Sequence, residues 1–143
     1  MDEMIGIVKI FAGNYAPRGW AFCRGQLLPI GQYKTLYSIL GTTYGGDGRT
    51  TFALPDLRGR SPISAGNGPG LDPHALGSRG GVERVVLDTA ELPAHITTNR
   101  VAIESSSGHT STFNGNFPAH ENRPPFLTLN YIICLEGTFP ART

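Results

Sequence analysis

The stretch 20-WAFCRGQLLPIGQYKTLYSILGTTYGGDGRTTFALPDLRGR-60 decides the fold. It opens on an aromatic, β-prone run, Trp20 to Cys23, which reads as a short strand. Gly31 then precedes Tyr33, Leu36, Tyr37 and Leu40, an i, i+3, i+4, i+7 set on one helical face, and Gly41 follows as a natural stop. A helix is expected over Gln32 to Leu40. Gly45, Gly46 and Gly48 around Asp47 predict a tight turn that hands over to an extended run, Thr50 to Leu54. The stretch closes on Pro55-Asp56-Leu57-Arg58-Gly59-Arg60. Asp56 stands beside Arg58 and Arg60, so its expected role is an ion pair that holds this turn. No nucleophile, base and orienting group fall together here. The stretch has the texture of scaffold, with Trp20, Asp56, Arg58 and Arg60 as its structural residues.

Upstream, Ile5 to Phe11 is a β-branched apolar run broken only by Gly6 and Lys9, expected as a strand buried on most of both sides. Asn14 to Gly19, with Pro17, reads as a turn. Downstream, Ser64 to Gly81 is loop-like and contains GNGPG at Gly66 to Gly70. Val82 to Leu87 and Val101 to Glu104 are strand candidates, with one helical turn expected at Thr89 to Leu92, ended by Pro93. Ser105 to Asn122, SSSGHTSTFNGNFPAHEN, has almost no aliphatic residues and no period, and reads as a polar loop. Leu127, Leu129, Tyr131, Ile133 and Leu135 then share one face of an extended strand, with Thr128, Asn130, Ile132 and Cys134 on the other. A fully apolar face opposite a mixed one suits a strand between a core and a subunit neighbour.

Composition narrows the function classes. The 143 residues suit one domain. Glycine (19) and proline (11) make about a fifth of the chain, which implies many tight turns in an ordered fold. Charged residues are 16%, against roughly 25% in an average globular domain, so part of the surface is expected to lie under a partner. Of 12 basic residues only Lys9 and Lys34 are lysines; arginine tolerates interfaces better. A net charge of +1 and arginines spread along the chain argue against nucleic-acid binding. No apolar run is long enough for a membrane-spanning helix, so no membrane insertion is expected. The acidic opening MDEMIG is unlike a secretory signal, so synthesis in the cytoplasm is expected. Cys23 and Cys134 are expected as buried free thiols.

Two glycine-rich segments fail as nucleotide sites. GTTYGGDGRTT, Gly41 to Thr51, lacks the lysine of a P-loop and is followed by no helical pattern. GNGPG has no strand before it and no helix after it. No G-x-S-x-G occurs, so serine hydrolase chemistry has ingredients without an arrangement. Paired carboxylates for glycoside hydrolysis could come from Asp56, Glu83, Asp88 or Glu91, and catalysis is not expected. No histidine pair has helical-zinc or zinc-finger spacing. The credible binding surface is the polar stretch: His109, Phe113, Asn114, Asn116, Phe117, His120, Asn122 and Arg123 offer ring faces and amide donors suited to sugars or surface polymers. Two readings stand for it, a receptor surface and a long loop packed by its own phenylalanines.

The pairing of G-W-x-x-C-x-G-Q (Gly19 to Gln26) with F-A-L-P-D-L-R-G-R (Phe52 to Arg60) resembles the phage tail collar domain, found in short tail fibres and in small microcystin-dependent proteins. The closing PPFLTLNYIICLEGTFPAR, Pro124 to Arg142, is similar to the usual last strand of that family. The resemblance implies a mainly β fold with a short helix (α+β), a tail-collar-like domain in an intertwined homotrimer. It places the collar-like part at 1–63 and a loop-rich tip with the closing strand at 64–143, within one compact unit. It also implies a structural, receptor-binding component of a phage tail fibre or tail-like particle. Its expected partners are itself, other tail or baseplate proteins, and a cell-surface glycan or protein receptor. The alternatives are a tip-borne glycan depolymerase and a free bacterial adhesin or lectin. Leu92-Pro93-Ala94-His95 resembles the family's L-P-x-H segment, in which a second histidine often follows and three chains share a metal. Thr97 stands in that second place, so no metal or cofactor is expected, and His95 is a metal candidate by position alone. Arg24 departs from the acidic or amide residue common at that place.

Overall fold

The computed structural model describes residues 3–86, 101–104, 110–113 and 119–141. Its elements run β1 (Val8–Phe11), β2 (Trp20–Phe22), β3 (Leu27–Pro29), α1 (Lys34–Leu40), β4 (Thr51–Ala53), β5 (Arg84–Val85), β6 (Val101–Glu104), β7 (Thr110–Phe113), β8 (His120–Glu121) and β9 (Asn130–Cys134). This is a mainly β chain with one short helix among the described residues, as expected. No helix among them is long and apolar enough to cross a membrane.

The chain divides into two compact units, Met1–Arg79 with Leu127–Thr143, and Gly80–Phe126. The first unit takes in both ends of the chain for a topological reason. β9 is the central strand of a three-stranded antiparallel sheet ordered β1-β9-β2, so the end of the chain returns to its start. The register pairs Ile10 with Tyr131 and Val8 with Ile133 on one side, and Ala21 with Ile133 on the other. Met4 and Thr138 add a parallel bridge, with the Ile5 N–H donating to the Thr138 carbonyl at 3.0 Å.

Position in this sheet sets burial. Ile132, Ile133 and Cys134 are buried on both faces of the central strand. The expected strand from Leu127 contracts to Asn130–Cys134, and Leu127 and Leu129 lie exposed ahead of it. β1 is an edge strand, and the expectation that it is buried on both sides is corrected: Val8, Lys9 and Ile10 are exposed. One face of the sheet carries Ile133 into a core with Ile5, Cys23, Leu36, Phe52 and Leu54.

α1 forms where the apolar period predicts it. Its first turn is set by the Tyr33 carbonyl, which accepts from Tyr37 N–H at 2.9 Å, and Gly41 closes it by donating to the Tyr37 carbonyl at 2.8 Å. Leu36 is fully buried, and the Tyr37 ring lies tilted on Phe52 with centroids 5.5 Å apart. Phe52 belongs to β4, which pairs with β3. β3 was not expected from the sequence.

The Gly45–Gly48 segment is a structural turn organised by Asp47. Its Oδ1 accepts the backbone N–H groups of Arg49, Thr50 and Thr51 at 3.0, 2.9 and 2.7 Å, while Oδ2 accepts the Thr50 hydroxyl at 2.6 Å. These donors hold its carboxyl far below the usual carboxylate range, the Thr50 hydroxyl being the largest cause. Gly46 is required there: its φ is +97°, and a Cβ would stand 2.6 Å from the Thr51 carbonyl oxygen. GNGPG lies in a surface loop closed by Gly66 and His74, whose N–H groups donate to each other's carbonyls at 2.8 and 3.0 Å.

In the second unit β5 pairs with β8 and β6 with β7, both antiparallel. The polar stretch Ser105 to Asn122 is therefore not wholly loop: Thr110–Phe113 forms β7 and His120–Glu121 forms β8. The Val82 to Leu87 strand shortens to Arg84–Val85. The helical turn expected at Thr89 to Leu92 lies outside the described residues.

Candidate functional site

Two constellations gather the residues singled out from the sequence. The first joins the segments Gly19–Gln26 and Phe52–Arg60. Cys23 follows β2 into the core, and its carbonyl accepts the Leu57 N–H at 3.1 Å. Gly25 N–H donates to the Pro55 carbonyl at 3.2 Å, and Leu54 N–H donates to the Gln26 carbonyl at 3.1 Å. Arg24 and Asp56 form an antiparallel bridge between them. Gln26 ties the turn from within: its side-chain amide donates to the Phe22 carbonyl at 2.7 Å and accepts from Arg24 N–H at 3.1 Å. The Arg24 guanidinium lies over the Phe22 ring, 4.2 Å from its centroid. The two segments thus form one interlocked joint.

Asp56 has the expected partner in Arg58. The guanidinium donates from Nε and NH2 to the two carboxylate oxygens at 2.8 and 2.7 Å, and Arg58 N–H adds a third bond at 3.2 Å. The Arg58 side-chain bond is the main reason that the Asp56 carboxyl is held down to about 2; Arg60 adds only charge at a distance. The pair is at the surface, with the Arg58 side chain 65% exposed, so the turn is held by an accessible ion pair and not a buried one. Trp20, half-buried, stands in β2 opposite Cys134, with the Lys9 ammonium 5.8 Å from its ring centroid.

The second constellation carries what is described of the candidate receptor surface. Asn122 N–H donates to the Glu83 carbonyl at 3.0 Å, and its side-chain amide donates to the Val82 carbonyl at 3.4 Å. Arg123 grips Glu121 with two donors, at 2.6 and 3.0 Å, and reaches Glu83 at 3.4 Å with the third nitrogen. Its guanidinium stacks over Phe126, 4.7 Å from the ring centroid. The Arg123 hydrogen bonds lower the Glu121 carboxyl below its ordinary range and raise Arg123 in turn. Both residues are thus engaged inside their own unit. Phe113 ends β7 opposite Val101, and His120 opens β8 opposite Val85. His109, Asn114, Asn116, Phe117 and His95 lie outside the described residues.

Cys23 and Cys134 are free and buried, and burial pushes the Cys23 thiol up to about 11. No group of three metal-ligating side chains is found among the described residues. Sequence reasoning missed Gln26, Asp47, Glu83 and Glu121 as organising residues. Asp47 had a signal in its glycine-flanked turn followed by two threonines, and Glu121 in its i, i+2 spacing to Arg123.

A family model described as Phage Tail Collar Domain matches residues 6–62. That match spans the sheet edge, the helix and the whole interlocked joint. The crystal structure of the C24 protein from the Antarctic microorganism Bizionia argentinensis is similar over 91% of this chain and 59% of its own, with 15% identity and a TM-score of 0.45. The chain thus spans less than two thirds of that protein's length. No curated protein matches the sequence.

Proposed function

We propose that this chain, which carries a phage tail collar domain over residues 6–62, is a structural component of a phage tail fibre or tail-like particle. It acts there as a homotrimer and presents a receptor-binding surface from its second unit. The collar domain is the observation that carries the reading. It fits the chemistry of the joint, where Gln26, Asp56 and Arg58 close hydrogen bonds within the scaffold and offer no acid–base pair.

Surface chemistry supports assembly. In the first unit Val8, Ile10, Leu27, Ile63, Leu71, Leu76, Leu127 and Phe139 are all exposed, while the buried hydrophobic core there is nine residues. Large apolar side chains left open on a single chain are what is expected of a protomer whose partners cover them. The depolymerase reading gains no support from Glu83 or Glu121, which both turn to Arg123; Asp88 and Glu91 lie outside the described residues.

The recognition surface is assigned to Phe113, Asn114, Asn116 and Phe117, with His109 and His120 beside them in sequence. Asn122 and Arg123 act as its support. Partners are a cell-surface glycan or protein receptor and other tail or baseplate proteins. Phe113→Ala combined with Asn114→Ala is expected to abolish binding to host cells or isolated surface glycans while the oligomer and its melting temperature stay unchanged. Undiminished binding by that variant would place the receptor site elsewhere.

A further inference from the structure

The ladder that closes the base of the second unit is minimal. β5 and β8 contribute two residues each, Arg84–Val85 and His120–Glu121. Such a short two-stranded ribbon is marginal in water by itself, and it must also bear the entropy of closing the long chain between Val85 and His120. Something besides backbone pairing has to hold the two strands.

We propose that Arg123 is the latch that closes this base. Its guanidinium joins the carboxylates of both strand extensions. Two donors lock on Glu121, in β8, and the third nitrogen reaches Glu83, the residue before β5. The adjacent Asn122 N–H lands on the carbonyl of the same Glu83, at 3.0 Å, so side chain and backbone clasp a single residue. Phe126 lies against the guanidinium face and leaves its edge free to bond. Arg84 stands across the ladder from Glu121 and adds a second positive charge to that carboxylate.

Isolated surface ion pairs contribute little, but a bidentate arginine inside a charge network is the arrangement in which they do. The planar fork matters as well as the charge. Lysine would keep the charge and lose both the two-point grip and the stacking. The latch holds Val85 and His120 side by side, and hence fixes the two ends of the segment that contains Phe113 to Phe117. It does so with residues of the second unit alone, and it stands whether or not that segment meets a receptor.

Hydrogen–deuterium exchange on the full chain tests it, comparing wild type with Arg123→Gln and Arg123→Lys. Both variants are expected to speed exchange of the Asn122 amide and of the β5–β8 ladder on the order of tenfold, the loss anticipated for charge-assisted bonds. Exchange at Ile133 and Cys134 should not change. In wild type, 1 M NaCl should move the same amides in the same direction, because the network is partly exposed. Unchanged exchange in Arg123→Gln would overturn the proposal. Full protection in Arg123→Lys would overturn the role of the fork, and equal loosening at Ile133 would show a global effect instead of a latch.

Discussion

Gly25 lies against Asp56. Its N–H bonds the neighbouring Pro55 carbonyl at 3.2 Å, its φ is +72°, and a Cβ placed on it would stand 3.1 Å from the Cβ of Asp56. The backbone conformation disfavours a side chain and the space admits one only if Asp56 shifts by a few tenths of an ångström; this contact lets the two halves of the joint close.

Gly25→Ala is therefore expected to destabilise the first unit by about 1–2 kcal/mol, the cost of forcing an L residue into the left-handed region. Asp56 must also give way. A thermal melt reads the effect; an unchanged midpoint would mean that the joint tolerates separation.

Asp56→Asn is expected to lower the melting temperature by no more than a few degrees, because its pair with Arg58 is accessible to water. The folded-state carboxyl is held down to about 2, below its unfolded value near 4. Its contribution is thus fully present above the unfolded value and is lost as pH falls through the folded one. The difference between wild type and variant should shrink from pH 5 toward pH 2. A difference that grows with acid would contradict the assignment.

The thiols are expected to be inert in the native protein. Burial raises both Cys23 and Cys134 above their ordinary values, so little thiolate forms near neutral pH. A chromogenic disulfide reagent at pH 8 should titrate neither until denaturant is added, and then both. Prompt reaction of either in the native state would show that the core opens locally.

Much of the first unit was legible from local signals. The helix follows from Leu36, Tyr37 and Leu40 on one face with Gly41 behind them, and the Asp47 turn from its glycines. What was missed is non-local. Leu27–Pro29 is too short, and too close to Pro29 and Gly31, to announce a strand, and it exists because β4 pairs with it. Thr110–Phe113 lacks aliphatic residues and is a strand through its register with Val101–Glu104. Burial of Ile132 and Cys134 opposite Ile133 depends on β9 being central, which the alternating pattern does not encode. In the candidate recognition surface the sequence named Arg123, but not its grip on Glu83, forty residues away.

Assembly has its own test. Sedimentation equilibrium at micromolar concentration is expected to return three times the chain mass. Ile10→Lys, on the exposed edge strand β1, should shift the equilibrium toward smaller species if that edge is covered by a partner. A monomer mass for the wild type would remove the homotrimer.

The central claim is that this chain is built into a tail. Electron microscopy of native particles labelled with antibody against the chain tests it most directly. The account predicts label confined to the tail or its fibres. Intact tails that carry no label, with the chain recovered only as free protein, would contradict it.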